Sequence, residues 1–237
     1  MDLGLAGRVA VVTAASKGLG RATALAFAAE GAKLVLNARD AAALQIVADQ
    51  CGDDALVVAG DITDPALPAR LVAAAVDRWG RVDVVVANGG GPPTGRALDV
   101  TDEQILAAVN ANMLASVRLA RAAVPHMRAQ QWGRIVFVAS VSVKQPIPDL
   151  VLSNVARTGL WAWTKTAAQD LADQGITVNL AAPGLHATDR LIERGVTGRT
   201  GNPRDFGQVV AFLCSQQAAY VNGTALGVDG GAVVGLL

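Results

Sequence analysis

Two glycines and two cations near the front of the chain are the first residues whose types and spacing can do chemistry. The stretch Thr13-Ala14-Ala15-Ser16-Lys17-Gly18-Leu19-Gly20 follows one short apolar run and opens an alanine-rich one. Lacking Cβ atoms, Gly18 and Gly20 let backbone amides come close to a pyrophosphate at a helix N-terminus, where the helix dipole favours negative charge. A tight turn with no ligand favours glycine as well. The position between a first strand and a first helix is what points to a dinucleotide. The second apolar run ends Leu36-Asn37-Ala38-Arg39. A site built for NAD places a carboxylate there for the ribose 2′-hydroxyl. Ala38 and Arg39 stand there instead, with Lys17 in the glycine turn, and two cations suit the 2′-phosphate of NADP(H) in preference to NAD(H). A solvated surface arginine is the plainer alternative for Arg39.

These residues need elements to position them. Short apolar runs at Val9–Thr13, Leu34–Asn37, Leu56–Ala59, Val82–Ala87, Arg134–Ala139, Ile176–Leu180 and Ala225–Val228 predict strands buried on both faces. Between them, Gly20–Glu30, Ala41–Gln50, Pro65–Trp79, Asp102–Gln130, Leu152–Gln174 and Pro203–Ser215 read as helices, with Thr101 as an N-cap. The alternation predicts an α/β, doubly wound, Rossmann-type fold of about seven parallel strands. No linker or repeat divides the 237 residues, so one domain over 1–237 is expected. With 52% hydrophobic and 17% charged residues, a disordered chain is excluded. Twenty basic and 20 acidic side chains argue against nucleic acid or a membrane surface as partner. No apolar run is long enough to span a bilayer, and the start lacks a signal-peptide pattern. The two cysteines, Cys51 and Cys214, form no metal-binding spacing. A reduced, cytoplasmic protein is expected.

At this point the chain resembles the short-chain dehydrogenase/reductases, most of all their 3-oxoacyl-(acyl carrier protein) reductase branch. Thr13–Gly20 is similar to the family's TGxxxGxG turn, with Ala14 in place of its first glycine. Asp61, before Ile62, matches the acid that holds the adenine amine. Asn88-Gly89-Gly90 matches the NAG motif beside the cofactor ribose. Asn112 precedes Pro125 as the family's catalytic-helix asparagine precedes its proline, and Ser140 stands where the substrate-orienting serine ends strand five. Pro183-Gly184 and Thr188 match the segment flanking the nicotinamide, and Val228-Asp229-Gly230-Gly231 the C-terminal VDGG. The resemblance implies an oxidoreductase acting on a small carbonyl compound or alcohol, in a homodimer or homotetramer. It implies cofactor contacts from Ser16, Lys17, Gly18, Leu19, Gly20, Arg39, Asp61, Ile62, Asn88, Gly89, Gly90, Arg157, Pro183, Gly184 and Thr188.

The family's proton chemistry rests on Tyr-x-x-x-Lys, with the tyrosine thirteen residues after the strand-five serine. Counted from Ser140, that register falls on Ser153 and Arg157, and Ala156-Arg157-Thr158-Gly159-Leu160 fixes it. The implied catalytic set is therefore Asn112, Ser140, Ser153 and Arg157. A serine hydroxyl is a far weaker acid than a phenol, and an arginine stays protonated and offers a planar fork. The chain's one tyrosine, Tyr220, lies just before the last strand and cannot take the place by register. His186, Lys144 and Asp149 are the alternative proton sources to weigh, beside Ser153 acting through a water. Asp189–Gly201 makes a shorter lid than the family carries. An NADP-binding protein of this fold without dehydrogenase activity is the rival reading. A pocket for another anionic ligand is the third.

Overall fold

The computed structural model describes residues 1–193, 195 and 198–236, the side chain of Arg190 apart. Seven parallel strands form one sheet in the order β3-β2-β1-β4-β5-β6-β7. They are β1 (Val9–Val12), β2 (Lys33–Ala38), β3 (Ala55–Ala59), β4 (Val84–Ala87), β5 (Gly133–Val138), β6 (Ile176–Pro183) and β7 (Ala225–Val228). The doubly wound expectation holds. The central strands β1, β4 and β5 are buried at every residue, as sheets covered on both faces require. Alternate side chains divide between two cores. Val9 and Val11 pack on the face of α3 (Leu67–Trp79), α5 (Ala115–Gln130) and α6 (Val151–Leu171). Ala10 and Val12 pack on the face of α1 (Gly18–Ala29), α2 (Ala41–Cys51) and α8 (Pro203–Leu213). The remaining helices are α4 (Asp102–Val109) and the short α7 (Asp189–Glu193), inside the stretch expected as a lid. Arg194, Val196 and Thr197 of that stretch lie outside the described residues.

Two expected boundaries move for physical reasons. Thr13 leaves β1 because its hydroxyl donates to the Asn88 carbonyl at 2.7 Å and accepts the Asn88 N–H at 2.9 Å. Asp83 precedes β4 rather than joining it. Its buried carboxylate accepts from Arg8, Arg81 and the Val9 N–H, tying the lower edge of the sheet. The largest departure is the helix expected over Asp102–Gln130. Thr101 caps its start in a reciprocal pair with Gln104, as expected, but a π-helical turn at Asn110–Leu114 separates α4 from α5. Such turns insert a residue into the helical ladder and cluster at functional sites. This one contains Asn112.

Among the described residues no helix is long and apolar enough to cross a membrane.

Candidate active site

Parallel strands put all their C-terminal ends on one edge, and the strand order reverses between β1 and β4. A ligand crevice opens at such a switch point. The glycine turn occupies it. Lys17 is the extended residue before α1, and α1 has neither a side-chain cap nor an acid in its first turn. By contrast, α2, α4 and α8 are capped by Asp40, Thr101 and Asn202. α3 and α6 lack a side-chain cap as well; what sets α1 apart is the glycine turn before it, at the switch point, where free N–H groups can take an anion. Gly18 has φ +57°, and a Cβ on Gly20 would lie 2.1 Å from the Ala14 carbonyl oxygen and 2.8 Å from Asn88 Nδ2. Only glycine closes this turn. Ala14, at the family's first glycine, takes φ +49° without being a glycine. Ser16 and Leu19 are half-buried and Lys17 is exposed. The Thr188 methyl lies 3.5 Å from where a Gly18 Cβ would stand, so the start of the lid rests on the glycine turn.

Beyond β2, Arg39 is exposed and Asp61 faces it across the end of β3. Hydrogen bonds from the Thr63 N–H and hydroxyl hold the Asp61 carboxyl below the usual range, and the Arg39 charge adds to this. Asn37, which sequence reasoning passed over, sets the arrangement. Its Nδ2 donates to the Val58 and Gly60 carbonyls at 2.9 and 3.2 Å, clamping β2 to β3. A lone amide at the end of an apolar strand was the available signal. Asp40, next to Arg39 in the sequence, caps α2: its Oδ1 accepts the Ala43 N–H at 3.0 Å. Ile62 and Gly89 are half-buried, and Gly90 is exposed.

At the end of β5 the structure joins Arg157 to Asn112 and to the carbonyls just before Ser140. Ser153 and Arg157 sit one turn apart on one face of α6, each 6% exposed. Arg157 Nη1 donates to the Val138 carbonyl at 3.1 Å and to the Ala139 carbonyl, and Nη2 donates to Asn112 Oδ1 at 3.1 Å. Asn112 Nδ2 turns back to the Ala108 carbonyl at 3.3 Å. A planar fork with fixed donors is suited to joining a strand end to a π-turn in this way. Ser140 Oγ accepts the Ser142 N–H at 3.2 Å, which leaves its own proton to be donated.

The alternative proton sources fare differently. His186 is buried, with Nδ1 3.2 Å from the Gly184 carbonyl and its ring edge-on to Phe206 at 5.3 Å. A Cβ on Gly201 would lie 2.9 Å from that ring, so His186 is a packing residue of the lid base. Asp149 is exposed and pairs with Arg96 at 3.5 Å, beside a bridge between Gly95 and Leu150 that joins the loops after β4 and β5. Lys144 closes the 3-10 turn after Ser140 and is half-buried. Tyr220 is fully exposed. Pro183-Gly184 and Val228-Asp229 form one unit. The Gly184 N–H donates to the Val228 carbonyl at 3.0 Å, and Asp229 caps Gly231 and Val233.

Residues 13–233 match the family described as enoyl-(acyl carrier protein) reductase. The 3-oxoacyl-[acyl-carrier-protein] reductase of Vibrio cholerae is 32% identical over 240 residues, 97% of this chain and 98% of its own. The chain belongs to the short-chain dehydrogenase/reductase family. Among solved structures, L-sorbose reductase from Gluconobacter frateurii, complexed with NADPH and L-sorbose, superposes with a TM-score of 0.95 at 32% identity, covering all of both chains. YwfH, an NADPH-dependent reductase involved in bacilysin biosynthesis, has a TM-score of 0.91 at 26% identity, covering 98% of this chain and 100% of its own.

Proposed function

We propose that the protein is an NADP(H)-dependent oxidoreductase acting on a small carbonyl compound or its alcohol, with an atypical proton relay. The observation that carries this reading is the uncapped head of α1 under a turn that only Gly20 can close. Gly18, Leu19 and Gly20, with Ser16 and Lys17, hold the pyrophosphate. Asp61 and Ile62 receive the adenine, Asn88, Gly89 and Gly90 the ribose, and Pro183, Gly184 and Thr188 the nicotinamide. Preference for NADP(H) over NAD(H) comes from Arg39, with Asp40 committed to its helix cap. Bound there, the dinucleotide supplies a hydride. Ser140 and Ser153 orient the acceptor. Arg157 fixes the end of β5 and the Asn112 turn in place. A cytoplasmic homodimer or homotetramer belongs to the same reading.

Calorimetric titration with NADPH and then NADH at one salt concentration tests it. Tight NADPH and weak NADH binding is expected, and Arg39→Ala should narrow the gap. Binding of neither would sink the proposal. The Arg157 bonds to β5 favour one rival: a dinucleotide-binding protein of this family that transfers no hydride. Firm NADPH binding without turnover of any acceptor would favour that rival.

A further inference from the structure

Resting on the carbonyl reading above, we infer that residues 230–236, after β7, form a strap over the acceptor end of the crevice and select carbonyl compounds that carry an apolar chain. One hydrogen bond ties this segment to a distant part of the chain: the Val234 N–H donates to Gln145 Oε1 at 3.3 Å. Gln145 follows the 3-10 turn that Ser140 caps, and its own N–H donates to the Val141 carbonyl at 3.1 Å, so it is fastened to that turn. The other end of the strap is fixed at β7. Asp229 accepts the Gly231 and Val233 N–H groups at 3.0 Å each. Gly230 and Gly231, at φ +64° and +84°, turn the chain back. A Cβ on Gly184 would lie 2.8 Å from the Asp229 Cα, so this turn rests on the chain just past β6. In the sheet β6 lies between β5 and β7. The strap therefore crosses the C-terminal end of β6. The two strand spacings amount to about 10 Å, within the roughly 17 Å reach of the residues from Asp229 to Val234.

That crossing covers the crevice from a second side. Thr188, at the start of the lid, rests on the glycine turn, which is the cofactor half. The strap is tied to the half that holds Ser140. Its anchor is rigid. Pro146 and Pro148 restrict the backbone on either side of Ile147. Asn154 Nδ2, on α6, donates to the Ile147 carbonyl at 2.9 Å, and the Gly95 N–H donates to the Asp149 carbonyl at 2.9 Å. The strap is held less firmly: among the described residues, its one hydrogen bond beyond Val233 is the bond to Gln145. It can lift from Gln145 while its base stays on Asp229. Ala232, Val233, Val234 and Leu236 give it no polar side chain. Val233 is half-buried, whereas Val234 and Leu236 are 84% and 103% exposed. An apolar chain on the acceptor offers these side chains a surface to bury, and burial is the attraction they can supply.

Calorimetry on the NADPH-bound protein with straight-chain primary amides, from butanamide to octanamide, tests this. The amides keep the carbonyl but resist hydride, so binding is read without turnover. Wild-type affinity should rise by up to about fourfold for each added methylene, the value of its full burial. Gln145→Leu unties the strap, and Val233→Ser with Leu236→Ser makes it polar. Each should flatten the rise while leaving butanamide and NADPH binding unchanged. Gln145→Glu keeps an acceptor for the Val234 N–H and should keep the rise. Hydrogen exchange at the Val234 amide should slow with octanamide in the wild type and not in Gln145→Leu. A wild-type affinity that does not grow with chain length, no binding of any amide, or a rise that survives both disruptive changes would overturn the inference. So would a polar strap that dissociates the protein in sedimentation with the amide series unchanged, which would give the segment to a contact between copies. Failure to bind NADPH would instead overturn the reading beneath, and the inference with it.

Discussion

Ala14 carries a backbone conformation that costs an L-residue roughly 1–2 kcal/mol, at φ +49°. The glycine turn tolerates this because Thr13 and Gly20 fix it from both sides. Ala14→Gly should therefore raise stability. Strain relief exceeds the extra freedom glycine gains in the unfolded chain by up to about 1 kcal/mol. Thermal unfolding should shift upward by about 2–4 °C for each kcal/mol gained, and an unchanged or lower Tm would contradict the strain. Arg157 makes a different residue-scale argument. Its bonds run to β5 and Asn112, and hydrogen bonds from a charged group contribute about 1.5–3 kcal/mol each. Arg157→Lys should lower kcat and denaturation midpoint together while leaving the NADPH Kd near its wild-type value. A large loss of NADPH affinity would instead mark a ribose contact through Arg157.

The π-turn shows what an element can do that a residue list does not reveal. It rotates Asn112 to meet Arg157, and it is pinned from the far side by Arg118, whose Nη1 donates to Asn110 Oδ1 at 2.7 Å. Arg118→Ala should cost about 1 kcal/mol of stability and reduce kcat more than NADPH affinity. Calorimetry beside steady-state kinetics separates the two, and equal losses would deny the turn its positioning role. Apart from Pro125, which lies eleven residues beyond the turn, nothing in the sequence 102–130 announced it. The extra residue is accommodated by packing against α6, which local patterning does not encode. The strands were legible because burial on both faces leaves continuous apolar runs. Thr101 was legible because capping is local chemistry. Asn37 and the burial of His186 were not legible. Both depend on which carbonyl or ring lies across from them in space.

At the scale of the molecule, the parallel sheet puts the C-terminal ends of its seven strands on one edge while leaving part of the outer surface apolar. Leu106 on α4, Leu114 in the π-turn and Val155 on α6 are 67%, 37% and 47% exposed. Leu114 and Val155 lie on the elements that carry Asn112 and Ser153, and Leu106 lies on the helix that runs into the π-turn. Single exposed apolar residues are ordinary, but several on adjoining helices mark an association surface. A self-complementary contact through this face would close as a two-fold dimer, the state the family resemblance implies. It would also brace the π-turn and α6 from outside. Sedimentation velocity over a range of concentrations should show a dimer or tetramer, and Leu106→Glu with Val155→Glu should move it toward monomer. Because neither side chain is in the crevice, the monomer should still bind NADPH, and turnover should fall as the braced helices loosen. A variant that stays associated would place the contact on another face, and one that dissociates with full turnover would separate assembly from catalysis.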